Sequence, residues 1–166
     1  IGNTPLFSRV YVKSMNVEQL FDSVLVATQA QSAFGSDWDT VQNRRQEWLQ
    51  QFVQAWDTDE NDEADLFDGT IPQALMMMNG ELINLALSSR GTWLTDVALD
   101  RTPESAKVEA IALAALSRKP SSQEVAAVRR MIKDRVPRMT PRTAMATSLQ
   151  DLFWAYLNSN EFILIH

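Results

Sequence analysis

The chain has 166 residues, 45% of them hydrophobic and 22% charged, with 5 Gly, 6 Pro and no Cys. That is apolar material enough for one buried core, in a balance unlike that of a disordered or collagen-like polymer. Without cysteine there are no disulfides, thiolate nucleophiles, iron–sulfur clusters or covalently held c-type haem in this sequence, and a net charge of -6 gives no basic field of the kind that draws in nucleic acid.

The opening residues IGNTPLFSRVYV lack the charged head and long apolar core of a signal peptide, and no apolar run approaches the ~20 residues that span a bilayer. Because it starts with Ile, the sequence reads as a fragment or processed piece of something longer, and Leu6 to Val12 reads as extended. Asn16 and Gln19 then have the spacing of a capping box, in which cap side chain and third residue satisfy each other's free N–H groups. Val17, Leu20, Phe21, Val24 and Leu25 follow at helical spacing. A second helix starts near Asp37 to Asp39, with Val41, Trp48, Leu49, Phe52, Val53 and Trp56 as its apolar stripe.

Between this helix and the next, the run Asp57 to Asp68 carries Asp57, Asp59, Glu60, Asp62, Glu63, Asp65 and Asp68, which leaves the remainder of the chain close to neutral. It reads as an acidic loop. Thr70 with Gln73 repeats the capping spacing at the head of a Met-rich helix reaching Asn84, and Gly80 inside it, costing roughly 1 kcal/mol relative to Ala, suggests close approach by another chain segment. Thr92 to Leu99 fits a short helix. Thr102-Pro103-Glu104 and Thr140-Pro141-Arg142 place a cap before proline at a first helical position. Their helices carry Val108, Ile111, Ala112, Ala115 and Leu116, and Leu149, Leu152, Phe153, Tyr156 and Leu157. Ser121 with Glu124 starts one more, lined by Val125, Val128, Ile132 and Val136. Phe162 to Ile165 is the other extended candidate, with no obvious hairpin partner. The expected fold is all-α: a single domain, a bundle of six or seven helices, no internal repeat.

Candidate chemistry is sparse. Asp57, Asp59, Asn61 and Glu63 alternate like the early oxygen ligands of a calcium loop, with Asp68 at the twelfth position; Asp62 stands where such loops need Gly, and Asp68 where they use a bidentate Glu. A solvated charge run is the plainer reading. Met76, Met77 and Met78 point three ways around a helix, so core filling outweighs thioether ligation. Asn79, Glu81 and Asn84 are polar in an apolar helix and call for specific hydrogen bonds or solvent. His166, the only histidine, leaves no multi-histidine metal centre, and no nucleophile elbow accompanies it. Glu47, Glu81, Glu109 and Glu161 supply carboxylates, but nothing in their spacing selects a glycosidase pair. Trp38, Trp48, Trp56, Trp93 and Trp154 could form a sugar-stacking face, though the helical spacing of Trp48 and Trp56 makes them core or interface residues first.

Two runs, GTIPQALMMMNGELIN from Gly69 to Asn84 and DLFWAYLNSNEFILIH from Asp151 to His166, resemble the C-terminal domain of unknown function fifteen-fifty-three of large secreted planctomycete proteins. Asn16 to Ser23 and Ala114 to Pro120 match as well, so the similarity covers about Asn16 to His166. Relatives end in Asn-Glu-Phe, three residues and His; here Asn160, Glu161, Phe162 and His166 keep that frame, with Leu164-Ile165 where Phe-Asn is common. The resemblance implies no defined activity. It implies an extracytoplasmic parent chain ending in this domain, after a companion domain and in some cases cytochrome-c-like or lectin-like modules. A non-catalytic helical module that packs on upstream domains of its parent or on a protein partner is the leading expectation, with no cofactor, nucleic acid or membrane span. The alternative is part of an extracytoplasmic enzyme or electron-transfer protein linked to polysaccharide degradation, with Asn79, Glu81, Asn158, Glu161 and His166 as polar site residues.

Overall fold

In a computed structural model of the chain, residues 13–30, 37–56, 71–87 and 91–165 are described. Leu6 to Val12, the acidic run with its calcium candidates Asp57, Asp59, Asn61, Glu63 and Asp68, the cap Thr70 and the terminal His166 lie outside the described residues. In chain order the elements are β1 (Lys13–Ser14), α1 (Val17–Thr28), α2 (Trp38–Trp56), α3 (Ile71–Asn79), α4 (Glu81–Leu87), α5 (Trp93–Leu99), α6 (Glu104–Leu116), α7 (Ser122–Arg135), α8 (Pro141–Leu157), α9 (Asn160–Ile163) and β2 (Leu164–Ile165). The fold class is all-α, the described residues being helical apart from the short β1–β2 pair and the connections. The helical segments outnumber the six or seven expected because the Met-rich stretch divides at Gly80 and the tail forms one extra turn.

Local chemistry fixes most helix starts. Gln19 N–H donates to Asn16 Oδ1 at 2.8 Å while Asn16 N–H donates to Gln19 Oε1 at 3.1 Å, and Ser121 with Glu124 makes the same reciprocal pair. Thr140 caps α8 with Pro141 in its first turn. At α6 the start differs from the sequence expectation by one position. Pro103, not Thr102, is the N-cap, with φ -58° and ψ 151° and no side-chain hydrogen bond. The ring already holds φ near the helical value, so ψ alone turns the chain into the helix, which then begins at Glu104.

The core is assembled around α8, which packs against α4, α5, α6, α7 and α9. Ala144, Ser148, Leu149, Phe153, Tyr156 and Leu157 are buried along it. Leu20, Phe21, Val24 and Leu25 of α1, Trp48 and Phe52 of α2, and Val108, Ile111 and Ala112 of α6 join the same cluster. Phe21 and Phe52 meet edge to face at 5.3 Å, as do Trp93 and Phe153 at 5.8 Å, the arrangement that aligns positive ring edge with negative face. Among the described residues of the expected stripes, two are exposed. Val53 is exposed because it follows Phe52 around the edge of the buried face, and Val136 because α7 stops at Arg135.

The one ladder among the described residues joins the two ends of the fold. Lys13–Ser14 pairs antiparallel with Leu164–Ile165, and Met15 N–H donates to Ile163 O at 3.0 Å. The extended tail therefore finds its partner almost a full chain length away, beyond the reach of any hairpin signal. Buried Lys107 has a similar bridging role: its Nζ donates to Ala98 O at 2.6 Å, so α6 supplies the cation that the last turn of α5 lacks.

Phe21 is fully buried against Phe52. Phe21→Ala should lower unfolding free energy by about 3–5 kcal/mol in a urea titration; a loss under about 1 kcal/mol would mean that α1 and α2 do not share a packed core.

Candidate functional site

The Met-rich stretch is built around a break. Gly80 N–H still donates to Met76 O at 2.7 Å and Asn84 N–H to Gly80 O at 3.0 Å, yet α3 ends at Asn79 and α4 begins at Glu81. The carbonyls at the end of α3 are answered by side chains: Trp154 Nε1 donates to Met78 O at 3.2 Å, and Asn84 Nδ2 to Asn79 O at 2.7 Å. One turn before Trp154 on α8, Gln150 Nε2 donates to Leu87 O at 2.6 Å at the end of α4. Orphan carbonyls at two helix ends are thus satisfied, two of the three donors coming from α8. Gly80 is needed here for a reason other than the one the sequence suggested. A Cβ at this position would stand 2.5 Å from Met76 O and 2.8 Å from Met76 Sδ, so the close neighbour is its own preceding turn, not another segment.

Each polar candidate of the described chain has a structural partner. Asn79 contributes its carbonyl to the Asn84 amide. Glu81 opens α4, where a carboxylate suits the helix dipole, and accepts from Gln51 Nε2 at 3.3 Å. Asn158 caps α8, its Nδ2 donating to Trp154 O at 2.9 Å.

Glu161 belongs to a cluster that no sequence signal identified. Arg118, just past the end of α6, forks onto Glu161 through Nε at 2.6 Å and Nη2 at 2.9 Å, and onto Glu124 through Nη2 at 2.9 Å and Nη1 at 3.1 Å. Its guanidinium also lies 6.0 Å from the centroid of the Tyr156 ring. One planar cation so joins the α6–α7 connection, the first turn of α7, the underside of α8 and the tail helix α9, a geometry that lysine could not reproduce. The hydrogen bonds from Arg118 hold the Glu124 carboxyl down at about 2, against the opposing effect of its partial burial and with help from Ser121. Glu161 and then Glu124 raise the Arg118 guanidinium above its ordinary value. Burial, then the Glu124 carboxylate, pushes the Tyr156 phenol up; its oxygen is buried without a hydrogen bond of good geometry, yet close enough to Glu124 for the two to influence each other. Near neutral pH Glu124 is therefore a fixed anion and has no proton to offer as a general acid.

Beside this cluster lies an open groove of about 440 Å³ between α1, the end of α6 and α9. Met15, Ser23, Ala115, Leu116, Glu161 and Phe162 are among its walls, and among the described residues α3 and α4 contribute none of its lining. Ser23 Oγ donates to Met15 Sδ at 3.4 Å, and Asp22 at the rim is bound by Arg45 at 2.6 Å, whose guanidinium lies 5.6 Å from the Phe21 ring centroid. The Met-rich break and the C-terminal tail, the two motifs most prominent in the sequence, thus do not converge on this groove. Among the described residues no group of three His, Asp or Glu side chains is placed to hold a metal ion, and no helix is long and apolar enough to cross a membrane.

The chain matches no protein-family model, no curated protein and no solved structure.

Two outcomes follow from these contacts. In a carboxyl-carbon NMR titration, Glu124 should titrate near about 2 and return toward its ordinary 4.5 in Arg118→Gln. Because its folded value is depressed, the stabilisation it contributes is complete above about 4.5 and is lost as pH falls through about 2; the stability gap between wild type and Arg118→Gln should shrink over that window, and a constant gap would remove Glu124 from the linkage. Asn84→Ala should cost about 1 kcal/mol and Asn79→Ala much less, since the former supplies the amide and the latter only a main-chain carbonyl. The reverse order in thermal melts would show that the Asn79 side chain is the working group.

Proposed function

We propose that this domain is a non-catalytic helical module that packs against the rest of an exported parent protein, in the family of C-terminal planctomycete domains that its sequence resembles. The observation that carries the reading is how the polar candidates are used. Asn79 and Asn158 sit at helix ends, Glu81 is joined to Gln51, and Glu161 is held by Arg118. The side chains of Glu81, Asn158 and Glu161 thereby help to set the positions of helices, as does the main-chain carbonyl of Asn79, and this use supports a structural role.

The docking face in this reading is apolar. Leu75 and Met78 lie one turn apart on α3 and are 54% and 42% exposed, and Val53 on the adjoining α2 is 41% exposed. The occupant is the upstream part of the parent chain, which the resemblance places immediately before this domain in an extracytoplasmic protein. Burying large aliphatic side chains at such a junction stabilises each by about 1.5–3 kcal/mol, less the cost of ordering the partner surface.

Hydrogen exchange on the intact parent and on the 166-residue chain tests this. The amides of α3 should exchange more slowly in the parent, and Leu75→Asp with Met78→Asp should abolish that protection without altering the melting of the 166-residue chain. Equal exchange in both proteins, or an activity of the parent lost on Glu161→Gln with melting unchanged, would sink the proposal.

A further inference from the structure

Cationic side chains in the described structure fall into two groups. Most are tied down: Arg44 to Glu47, Arg45 to Asp22, Arg118 to Glu124 and Glu161, Lys119 to Glu109, Arg129 to Glu104, Arg135 to Asp151, and Lys107 to the carbonyl of Ala98. Arg130, Lys133, Arg138 and Arg142 are exposed and, among the described residues, form no ion pair. Apart from Arg101, which lies just beyond α5, the uncommitted cations sit together at one end of the α7–α8 hairpin. Arg130 and Lys133 are neighbours across one turn of α7. The connection then winds tightly, Arg138 N–H and Met139 N–H both donating to Arg135 O at 2.8 and 3.1 Å, and Arg142 follows in the first turn of α8. Asp134 is the one carboxylate in the sequence between Arg129 and Arg142. Exposed Val136, with Pro137 beside it, forms a small apolar tip among the charges.

We infer that this basic corner docks the acidic run Asp57 to Asp68 of a second copy of the chain. Uncompensated cations crowded at one helix end repel one another, and a carboxylate-rich segment relieves that repulsion while meeting arginine forks in their preferred geometry. The run is complementary in a second respect. Within it, Leu66-Phe67 lies between Asp65 and Asp68, an apolar pair flanked by anions that matches a Val136-Pro137 tip flanked by cations. Nucleic acid fits the corner less well. No aromatic residue occurs from Arg129 to Thr143 on which a base could stack, and at long range the net charge of -6 repels a polyphosphate. The same net charge on two copies opposes association too, but at physiological ionic strength that repulsion is screened beyond about 8 Å, whereas run and corner meet at contact distance. Each copy carries both halves of the contact in its sequence, so two copies can use run on corner twice.

The corner on α7 and α8 shares no residue with the apolar face on α2 and α3, so either proposal can fail or hold without the other. Sedimentation velocity of the 166-residue chain over a concentration series should show a weak dimer in low-salt buffer that is lost at about 0.5 M salt. Reversing the corner (R130E, K133E, R138E and R142E) should weaken dimerisation by at least about tenfold, with the melting temperature kept. The milder set with Gln at the same positions should weaken it less, which guards against a misfolded variant. Reversing the run (D59K, D62K and D65K) should also give monomers. Mixed one to one, the corner and run variants should associate again, because one supplies an intact run and the other an intact corner. A wild type that stays monomeric at low salt, a corner variant that still dimerises, a mixture that fails to associate, or tighter corner binding to a single-stranded DNA oligonucleotide or to anionic phospholipid vesicles than to a peptide of residues 57–68 would each overturn the inference.

Discussion

A helix flanked by five others has to satisfy its neighbours' backbone ends as well as bury its own side chains, and α8 does both. Phe153, Tyr156 and Leu157 fill the core, while Gln150 and Trp154, on the same helix, donate to the terminal carbonyls of α4 and α3. Removing apolar surface from water supplies most of the favourable free energy, but it is indifferent to which helix ends where. The side-chain donors add that information, because a carbonyl at the end of a helix accepts only from a donor placed within about 3 Å of it. The division of the Met-rich stretch into α3 and α4 depends on this arrangement. With Gly80 permitting the tight turn over Met76, the carbonyls left open by the break fall where Trp154 and Asn84 can bond them.

Arg118 acts beside Tyr156, in the last turn of α8, by the same logic with charge in place of amides. An ion pair with this much exposure contributes only about 0–1 kcal/mol on its own. Its importance is geometric. A bidentate fork onto Glu161 and a second onto Glu124 fix the orientation of α9 relative to α7, and the β1–β2 ladder then fixes the tail that follows. The Tyr156 ring lies against the guanidinium, its centroid 6.0 Å away. Several weak contacts that share one rigid planar group hold better than the same contacts made separately, since the entropy of placing the group is lost once.

How much of this was legible in the sequence follows the range of the interaction concerned. The capping boxes at Asn16 and Ser121 and the proline start after Thr140 act across three or four residues and are written in order along the chain. Apolar periodicity located the buried faces of α1, α6 and α8; on α2 the stripe ran around the edge of the buried face at Val53, and on α7 it ran past the helix end at Val136. Contacts between distant residues left no such mark. Nothing local connects Arg118 with Glu161, Lys107 with Ala98, or Lys13 with Ile165. Gly80 is conspicuous in the sequence, yet a glycine signals that space is short without saying which atoms occupy it, and here they belong to Met76 in the preceding turn.

Charge shows the same limit from another direction. A net value of -6 is a sum, and sums discard position. Seven carboxylates in the run from Asp57 to Asp68 account for the acidity, while Arg129 to Arg142 holds six cations against one Asp. Read as a total, the chain repels polyanions; read by position, it presents a basic corner that the total conceals. Fields from charges more than a Debye length apart, about 8 Å at physiological salt, are largely screened, so a docking partner responds to the corner while a distant one responds to the sum. Segregation of this kind permits contacts between oppositely charged parts of separate copies, and the ion pairs of Arg129 with Glu104 and Arg135 with Asp151 show what the remaining four cations lack among the described residues.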